Sequence, residues 1–162
     1  MPAPACELQV TEYKEKILMF WTNSPTGLLN RRALMGKLGR AIERTTRKRA
    51  GNAGLLFDLR NFKYINDTQG HDAGDRVLKK LAAALRRTTR SYDFVARLVG
   101  DEFVVWLVNG DKETARHRAV AILGSSCMLA EVVSLDPAKK LGVSIGIFIF
   151  NADHPESAQE LV

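Results

Sequence analysis

Asp58, Asp101 and Glu102 are the side chains of this sequence whose types and surroundings could do chemistry together. Asp58 closes the apolar run Leu55-Leu56-Phe57, which reads as a short, fully buried strand. Asp101 and Glu102 sit between Phe94–Val99 and Phe103–Val108, two strand-like runs rich in Val, Phe and Trp, and Gly100-Asp101 is a hairpin-turn signal. A turn that only had to turn needs one such acid, and adjacent carboxylates repel each other. If the Asp58 strand ends beside the hairpin, three carboxylates converge with no base among them, a set that calls for a cation. Oxygen ligands with open positions suit Mg²⁺, or Mn²⁺ in its place, which takes one or two carboxylates and completes its shell with water and substrate phosphates. An EF-hand does not fit, because neither Asp58 nor Asp67 starts the required ligand spacing.

The elements that must hold these acids follow from the hydrophobic pattern. Glu7 to Trp21 has apolar residues at helical spacing and reads as a linker helix entering from an upstream region, after a leader at residues 1–6. Asn23 to Gly27 breaks it. Asn30 to Arg49 is expected to be a helix burying Leu34, Leu38, Ala41 and Ile42 behind a basic face. A short helix from Phe62 to Gln69 stops at Gly70, and Asp72 to Arg90 forms another with Val77, Leu78, Leu81, Ala82 and Leu85 inward. Asp111 to Glu131 is helical, with the stripe Ala115, Ala119, Ile122 and Leu123. Leu141 to Phe150 is a strand apolar on both faces, as in a sheet covered by helices. A central hairpin cannot belong to an all-parallel repeat, so the pattern predicts an α/β (α+β) sandwich with a mixed or antiparallel sheet.

Composition narrows the setting. A chain of 162 residues with 46% hydrophobic content suits one domain with a sizeable core. The net charge of +6 comes from cations clustered between Arg31 and Arg49 and between Lys79 and Arg90, a surface that attracts polyanions without choosing among them. Aromatic residues are not interleaved with those charges, which argues against nucleic acid as the partner. Cys6 and Cys127 lack metal-ligand spacing, and a reducing cytoplasmic setting is expected. No apolar run reaches bilayer length.

Downstream of Asp58 lie Asn61-Phe62-Lys63-Tyr64-Ile65-Asn66-Asp67 and then Gly70-His71-Asp72-Ala73-Gly74-Asp75. With Val99-Gly100-Asp101-Glu102-Phe103, Thr26-Gly27-Leu28-Leu29-Asn30-Arg31-Arg32 and Val143-Ser144-Ile145-Gly146, they resemble the ordered motifs of the GGDEF domain of diguanylate cyclases. The resemblance implies a nucleotidyl cyclase or palm-type fold over residues 23–162, with residues 1–22 as leader and linker. It also implies an enzyme that joins two GTP molecules into cyclic di-GMP. Carried over by position, Asp58, the Leu59 carbonyl and Asp101 would hold the metal, with Glu102 as a further ligand or proton acceptor. Asn61, Phe62, Lys63 and Gly100 would lie along the substrate, and Asn66 with Asp75 would read guanine. Arg90 and Asp93 match the family's product-inhibition motif. The implied partners are GTP, cyclic di-GMP, a second subunit for catalysis, an upstream sensor and, in some members, a downstream EAL phosphodiesterase domain.

Three departures from the family pattern bear on activity. Val99 stands where the family usually has Gly, and would be strained if its φ were positive. Arg60 replaces an acid beside the metal position, which disfavours a second cation. The family's last helix and strand lie beyond Val162, although Asn151 to Glu156 reads as a helix start, so this chain by itself is expected to make little cyclic di-GMP. Two readings stay open: a cyclase domain, and a degenerate GTP- or cyclic di-GMP-binding regulator within a larger GGDEF/EAL protein.

Overall fold

The structure, a computed structural model, describes residues 20–48, 50–130 and 136–150. Most of the expected leader and linker helix and the expected helix start after Asn151 lie outside these residues. Two short strands, β1 (Thr22–Asn23) and β2 (Leu28–Leu29), precede α1 (Arg31–Lys48). Next come β3 (Asn52–Arg60), α2 (Phe62–Gln69), α3 (His71–Thr88), β4 (Phe94–Arg97) and β5 (Glu102–Val108). After α4 (Lys112–Ala130) a 3₁₀ turn at Pro137–Lys139 leads into β6 (Gly142–Phe150). The six strands form one sheet in the order β1-β2-β4-β5-β3-β6. It is mixed: β2 meets β4 in parallel, and the other pairings are antiparallel.

Period-two alternation sorts the strands onto two faces. Leu55, Phe57, Leu59, Phe103, Val105 and Leu107 point toward α3 and α4, where they meet Val77, Leu81, Leu85, Ala115 and Ile122 in the main core. The opposite face places Ala96, Val104, Trp106 and Phe150 against Leu34 and Leu38 of α1. Asp58 and Glu102 belong to this α1 side by parity, yet α1 packs on the β2–β4 margin and leaves Asp58 exposed.

The coverage of the sheet is less even than its apolar runs imply. Leu56 is 42% exposed rather than buried, because it faces the side of β3 that α1 does not reach. On the opposite face, that of their partners Leu55 and Ala53, Ile147 and Ile149 of the edge strand β6 are exposed, so its two apolar faces are not both covered among the described residues. Leu123, expected inward, is exposed, while Ala115, Ala119 and Ile122 are buried as expected. Strand β3 runs two residues past Asp58, so that residue lies within the strand, paired on both sides, rather than at the strand's end.

Candidate active site

The antiparallel register of β3 with β5 sets Asp58 directly opposite Glu102. Directly opposed residues have Cα atoms about 4.5 to 5.5 Å apart and side chains on one face, an unfavourable arrangement for two like charges. Asp101 is one residue earlier, in the turn closed by the Glu102 amide donating to the Val99 carbonyl at 2.9 Å. Gly100, at φ +54°, occupies the first central position of that turn, where glycine fits without penalty. Val99 is not among the residues with positive φ and its side chain is 64% exposed, so the valine at the family's glycine position carries no backbone strain.

Asp58, Asp101 and Glu102 have no Lys or Arg within ion-pair distance among the described residues. Arg60 turns the other way, its guanidinium lying against Gly142 on β6. The three carboxylates do not form a preformed cluster: among the described residues no group of three acidic, His or Cys side chains is close enough to hold a metal ion. What the backbone supplies is an opposed pair with a third acid beside it. This all-oxygen donor set, with unneutralised charge and room for water, fits a hard divalent cation.

The far side of the site is built by α2 and α3. Asn61 takes the left-handed conformation, φ 65°, and its amide side chain donates to the Lys140 carbonyl at 2.9 Å instead of capping α2. The first amides of α2, from Phe62 onward, therefore keep their free donors. Lys63 is exposed on that turn and Phe62 is buried beneath it. Gly70 ends α2, its amide donating to the Asn66 carbonyl at 3.0 Å, and α3 begins at His71, which is exposed. Gly74 gives Asn66 its place. A Cβ at position 74 would come within 1.9 Å of the Asn66 Oδ1, so only a residue without a side chain lets that amide lie over α3 beside Asp75. Asn66 and Asp75 are both half-buried and sit where the helices α2 and α3 meet.

A match to the family described as "Diguanylate cyclase, GGDEF domain" runs over residues 21–162. The chain belongs to the GGDEF family. It is 40% identical over 115 residues to the diguanylate cyclase DgcP of Pseudomonas aeruginosa, covering 71% of this chain and 17% of that protein. It is 37% identical over 108 residues to the diguanylate cyclase DgcS of Shewanella oneidensis, covering 67% of this chain and 36% of that one. The chain thus spans a minor part of the length of these relatives. Among solved structures, a GGDEF-only form of TpbB (YfiN) from P. aeruginosa matches with a TM-score of 0.73 at 34% identity, covering 86% of this chain and 81% of that one. The coiled coil and GGDEF domain of DgcB from Caulobacter crescentus, in complex with cyclic di-GMP, shares the fold at a TM-score of 0.78 and 22% identity, over 96% of this chain and 82% of that one.

At the opposite end of the hairpin from the signature lie Arg90 and Asp93. The Asp93 carboxylate is fully engaged: one oxygen accepts from the Arg90 amide at 2.9 Å and the other from the Val108 amide at 3.1 Å. Arg90 donates to the Tyr92 hydroxyl at 2.8 Å and otherwise faces solvent. A cavity of about 320 Å³ opens at Arg86, Arg90 and Asp93. A second, of about 510 Å³, lies between α1 and β4, lined by Lys37, Arg40, Arg44, Lys48 and the rings of Tyr92 and Phe94.

Sequence reading gave no role to Gly74, which stands in a quoted motif, or to Arg97, which ends β4 just before the signature. Arg97 is only 9% exposed. Its Nε donates to the Gly100 carbonyl at 2.8 Å, and its Nη1 to the Asn23 side chain at 3.1 Å and the Ser24 carbonyl at 2.8 Å. Burial pushes its pKa down, and the nearby Asp75 and Asp101 charges push it back up. The signal was available: Arg97 shares strand parity with Val95, so alternation points a cation inward.

Proposed function

We propose that this GGDEF domain binds GTP with a divalent cation and, paired with a second copy, joins two GTP molecules into cyclic di-GMP. The observation that carries this reading is the opposed Asp58–Glu102 pair with Asp101 in the adjoining turn, with no Lys or Arg within ion-pair distance among the described residues. Mg²⁺, or Mn²⁺, would be held by Asp58, the Leu59 carbonyl and Asp101, with Glu102 beside it. When bound, such a cation neutralises phosphate charge and lowers the pKa of the attacking hydroxyl.

The chain's own residues orient the nucleotide. Asp75 accepts from the ring N–H and amino group of guanine, and Asn66, held over Gly74, donates to its acceptors. The free amides at the start of α2, with Lys63, take the terminal phosphates, and Gly100 lets the backbone approach the nucleotide closely. The 3′-hydroxyl of one GTP attacks the α-phosphorus of the other; its proton passes to Glu102 or to solvent, the new P–O bond forms, and pyrophosphate leaves. Each site holds half of the product, so two subunits related by a two-fold axis complete it.

Arg90 is read as a product-binding residue, with Asp93 shaping the turn that presents it. The free cations of α1 in the neighbouring cavity add attraction for the product's phosphates. An upstream sensor, a downstream EAL domain and a cytoplasmic setting complete the proposal; no helix of the described residues is long and apolar enough to cross a membrane. Nothing in the geometry favours the degenerate alternative: Val99 is unstrained and Arg60 makes no ion pair with the carboxylates.

Titration of the purified chain with GTP and with ATP, with and without Mg²⁺, tests the reading, alongside Asp101→Ala. Binding is the primary readout. The expected result is Mg²⁺-dependent binding that prefers GTP by roughly tenfold or more, since adenine leaves Asp75 unpaired. Equal affinity for the two nucleotides, or binding indifferent to Mg²⁺ and to Asp101→Ala, overturns it.

A further inference from the structure

We infer that Arg60 grips the γ-phosphate of the bound nucleotide and so sets the preference for a triphosphate over a diphosphate. This deepens the reading of the site as one for GTP and rests on it. Arg60 is exposed and shares strand parity with Asp58, two residues or about 7 Å away along β3. A guanidinium so near a free carboxylate would ordinarily pair with it. Here it makes no ion pair or hydrogen bond with any described residue. It lies instead across the neighbouring strand, where Gly142 is its partner in register. A Cβ at position 142 would stand 2.8 Å from the Arg60 Nη2, 2.9 Å from Nε and 3.1 Å from Cζ. Such nearly equal distances set the flat face of the guanidinium over the glycine, and its N–H groups, which lie in that plane, point outward. Only a residue without a side chain provides this seat.

The surroundings of that seat fit a phosphate. Two residues after Arg60 the free amides of α2 begin, with Lys63 exposed on the same turn. The Asn61 side chain, bonded to the Lys140 carbonyl at 2.9 Å, ties the start of α2 to the approach of β6, so the seat and the amides are held in one frame. Lys140 is exposed there, and the Lys139 ammonium sits over the Tyr64 ring, 4.5 Å from its centre. Among the described residues no acid pairs with Arg60, Lys63, Lys139 or Lys140. A triphosphate whose α end lies at the Asp58–Glu102 pair is long enough to bring its far end to Arg60, whereas a diphosphate stops short. The terminal phosphate also carries the most free oxygens and the most charge, which suits the bidentate fork of arginine. An acid at position 60, as the family pattern has it, would repel that group; the arginine attracts it.

The test separates the last phosphate from the rest of the nucleotide. GTP and GDP are titrated in the presence of Mg²⁺ into wild type, Arg60→Gln, Arg60→Lys, Arg60→Asp and Gly142→Ala. Wild type is expected to prefer GTP over GDP by about tenfold, and Arg60→Gln to lose about tenfold for GTP but less than about twofold for GDP, which erases the preference. Arg60→Lys, which keeps the charge without the fork, is expected to lose about threefold for GTP. Gly142→Ala leaves the charge in place and lifts the guanidinium from its seat, so a loss of about threefold for GTP alone is expected. Arg60→Asp is expected to bind GTP no more tightly than Arg60→Gln. Melting curves of all four variants should stay within about 2 °C of wild type, since the side chain they alter or displace is exposed and unpaired. Equal losses for GTP and GDP in Arg60→Gln, no loss in that variant, or tighter GTP binding by Arg60→Asp overturns the inference and leaves the functional reading standing. A wild-type chain that binds no GTP overturns the functional reading and this inference with it.

Discussion

The two ends of the β4–β5 hairpin use their charges in opposite ways. At the signature end, Asp58, Asp101 and Glu102 have no base within ion-pair distance among the described residues, and the Arg97 guanidinium, close enough to feel the Asp101 charge, hydrogen-bonds to carbonyl oxygens. At the other end, Asp93 is spent on the amides of Arg90 and Val108, and Lys37, Arg40, Arg44 and Lys48 have no acidic partner among the described residues. An unneutralised charge is a standing cost that an arriving ion of opposite sign removes. One end is therefore suited to a cation and the other to an anion, although both are built on the same two strands.

Removing a charge at the acidic end should have the largest effect. Asp58→Asn is expected to lower Mg²⁺-dependent GTP affinity by about a hundredfold while raising thermal stability slightly, because it relieves the repulsion with Glu102. Calorimetric titration and a melting curve of the same sample check both halves. Next in size is Gly74→Ala. Its Cβ would collide with the Asn66 amide, so a loss of roughly 1 to 3 kcal/mol in urea unfolding and a narrowing of the GTP-over-ATP preference are expected together.

At the basic end, Asp93→Ala leaves the Arg90 and Val108 amides without their acceptor. A loss of about 1 to 2 kcal/mol in stability is expected, with GTP affinity unchanged and weaker binding of cyclic di-GMP as the turn bearing Arg90 loosens. A fall in GTP affinity as large as the fall for cyclic di-GMP would show that the two ends are not separate. Smaller again is Val99→Gly: with no strain to relieve, it should cost up to about 1 kcal/mol through the freer unfolded chain and leave GTP affinity within about threefold.

The smallest effect concerns Asp111, the cap of α4, whose carboxylate accepts from the Thr114 amide at 2.7 Å. Hydrogen bonding from the Thr114 side chain, and then from its amide, holds the Asp111 pKa below the ordinary 3.8. A carboxylate depressed on folding adds stability that is present above 3.8 and is lost as pH falls through the folded value. Asp111→Asn caps without titrating, so its melting temperature should fall less between pH 5 and about pH 2 than that of wild type, a difference small enough to need paired melting curves.

Much of the architecture could be read from residue order. Helical spacing located α1 to α4 to within a residue or two, Gly70 marked the break between α2 and α3, and Gly100-Asp101 marked the turn. The carboxylates, Asn66 with Asp75, and Arg90 with Asp93 were visible as types at fixed offsets along the chain. Such signals are local, since each depends on residues within a few turns of one another. The brief hairpin of β1 and β2 was not visible, because two-residue strands carry no period.

Tertiary structure decided everything that depends on which distant segments touch. The pairing of Asp58 with Glu102 is a matter of strand register, and a slip of one residue would have sent one of them to the opposite face. The exposure of Leu56 depends on where α1 lies over the sheet, and that of Ile147 and Ile149 on the edge position of β6, neither of which their apolar character could reveal. Arg97 is the clearest case. Its parity on β4 made it an inward cation, but that it bridges Ser24, 73 residues from it in sequence, to Gly100 rests on two loops meeting around one guanidinium. A sequence fixes side-chain chemistry and local backbone preference; only folding brings the partners within hydrogen-bond reach.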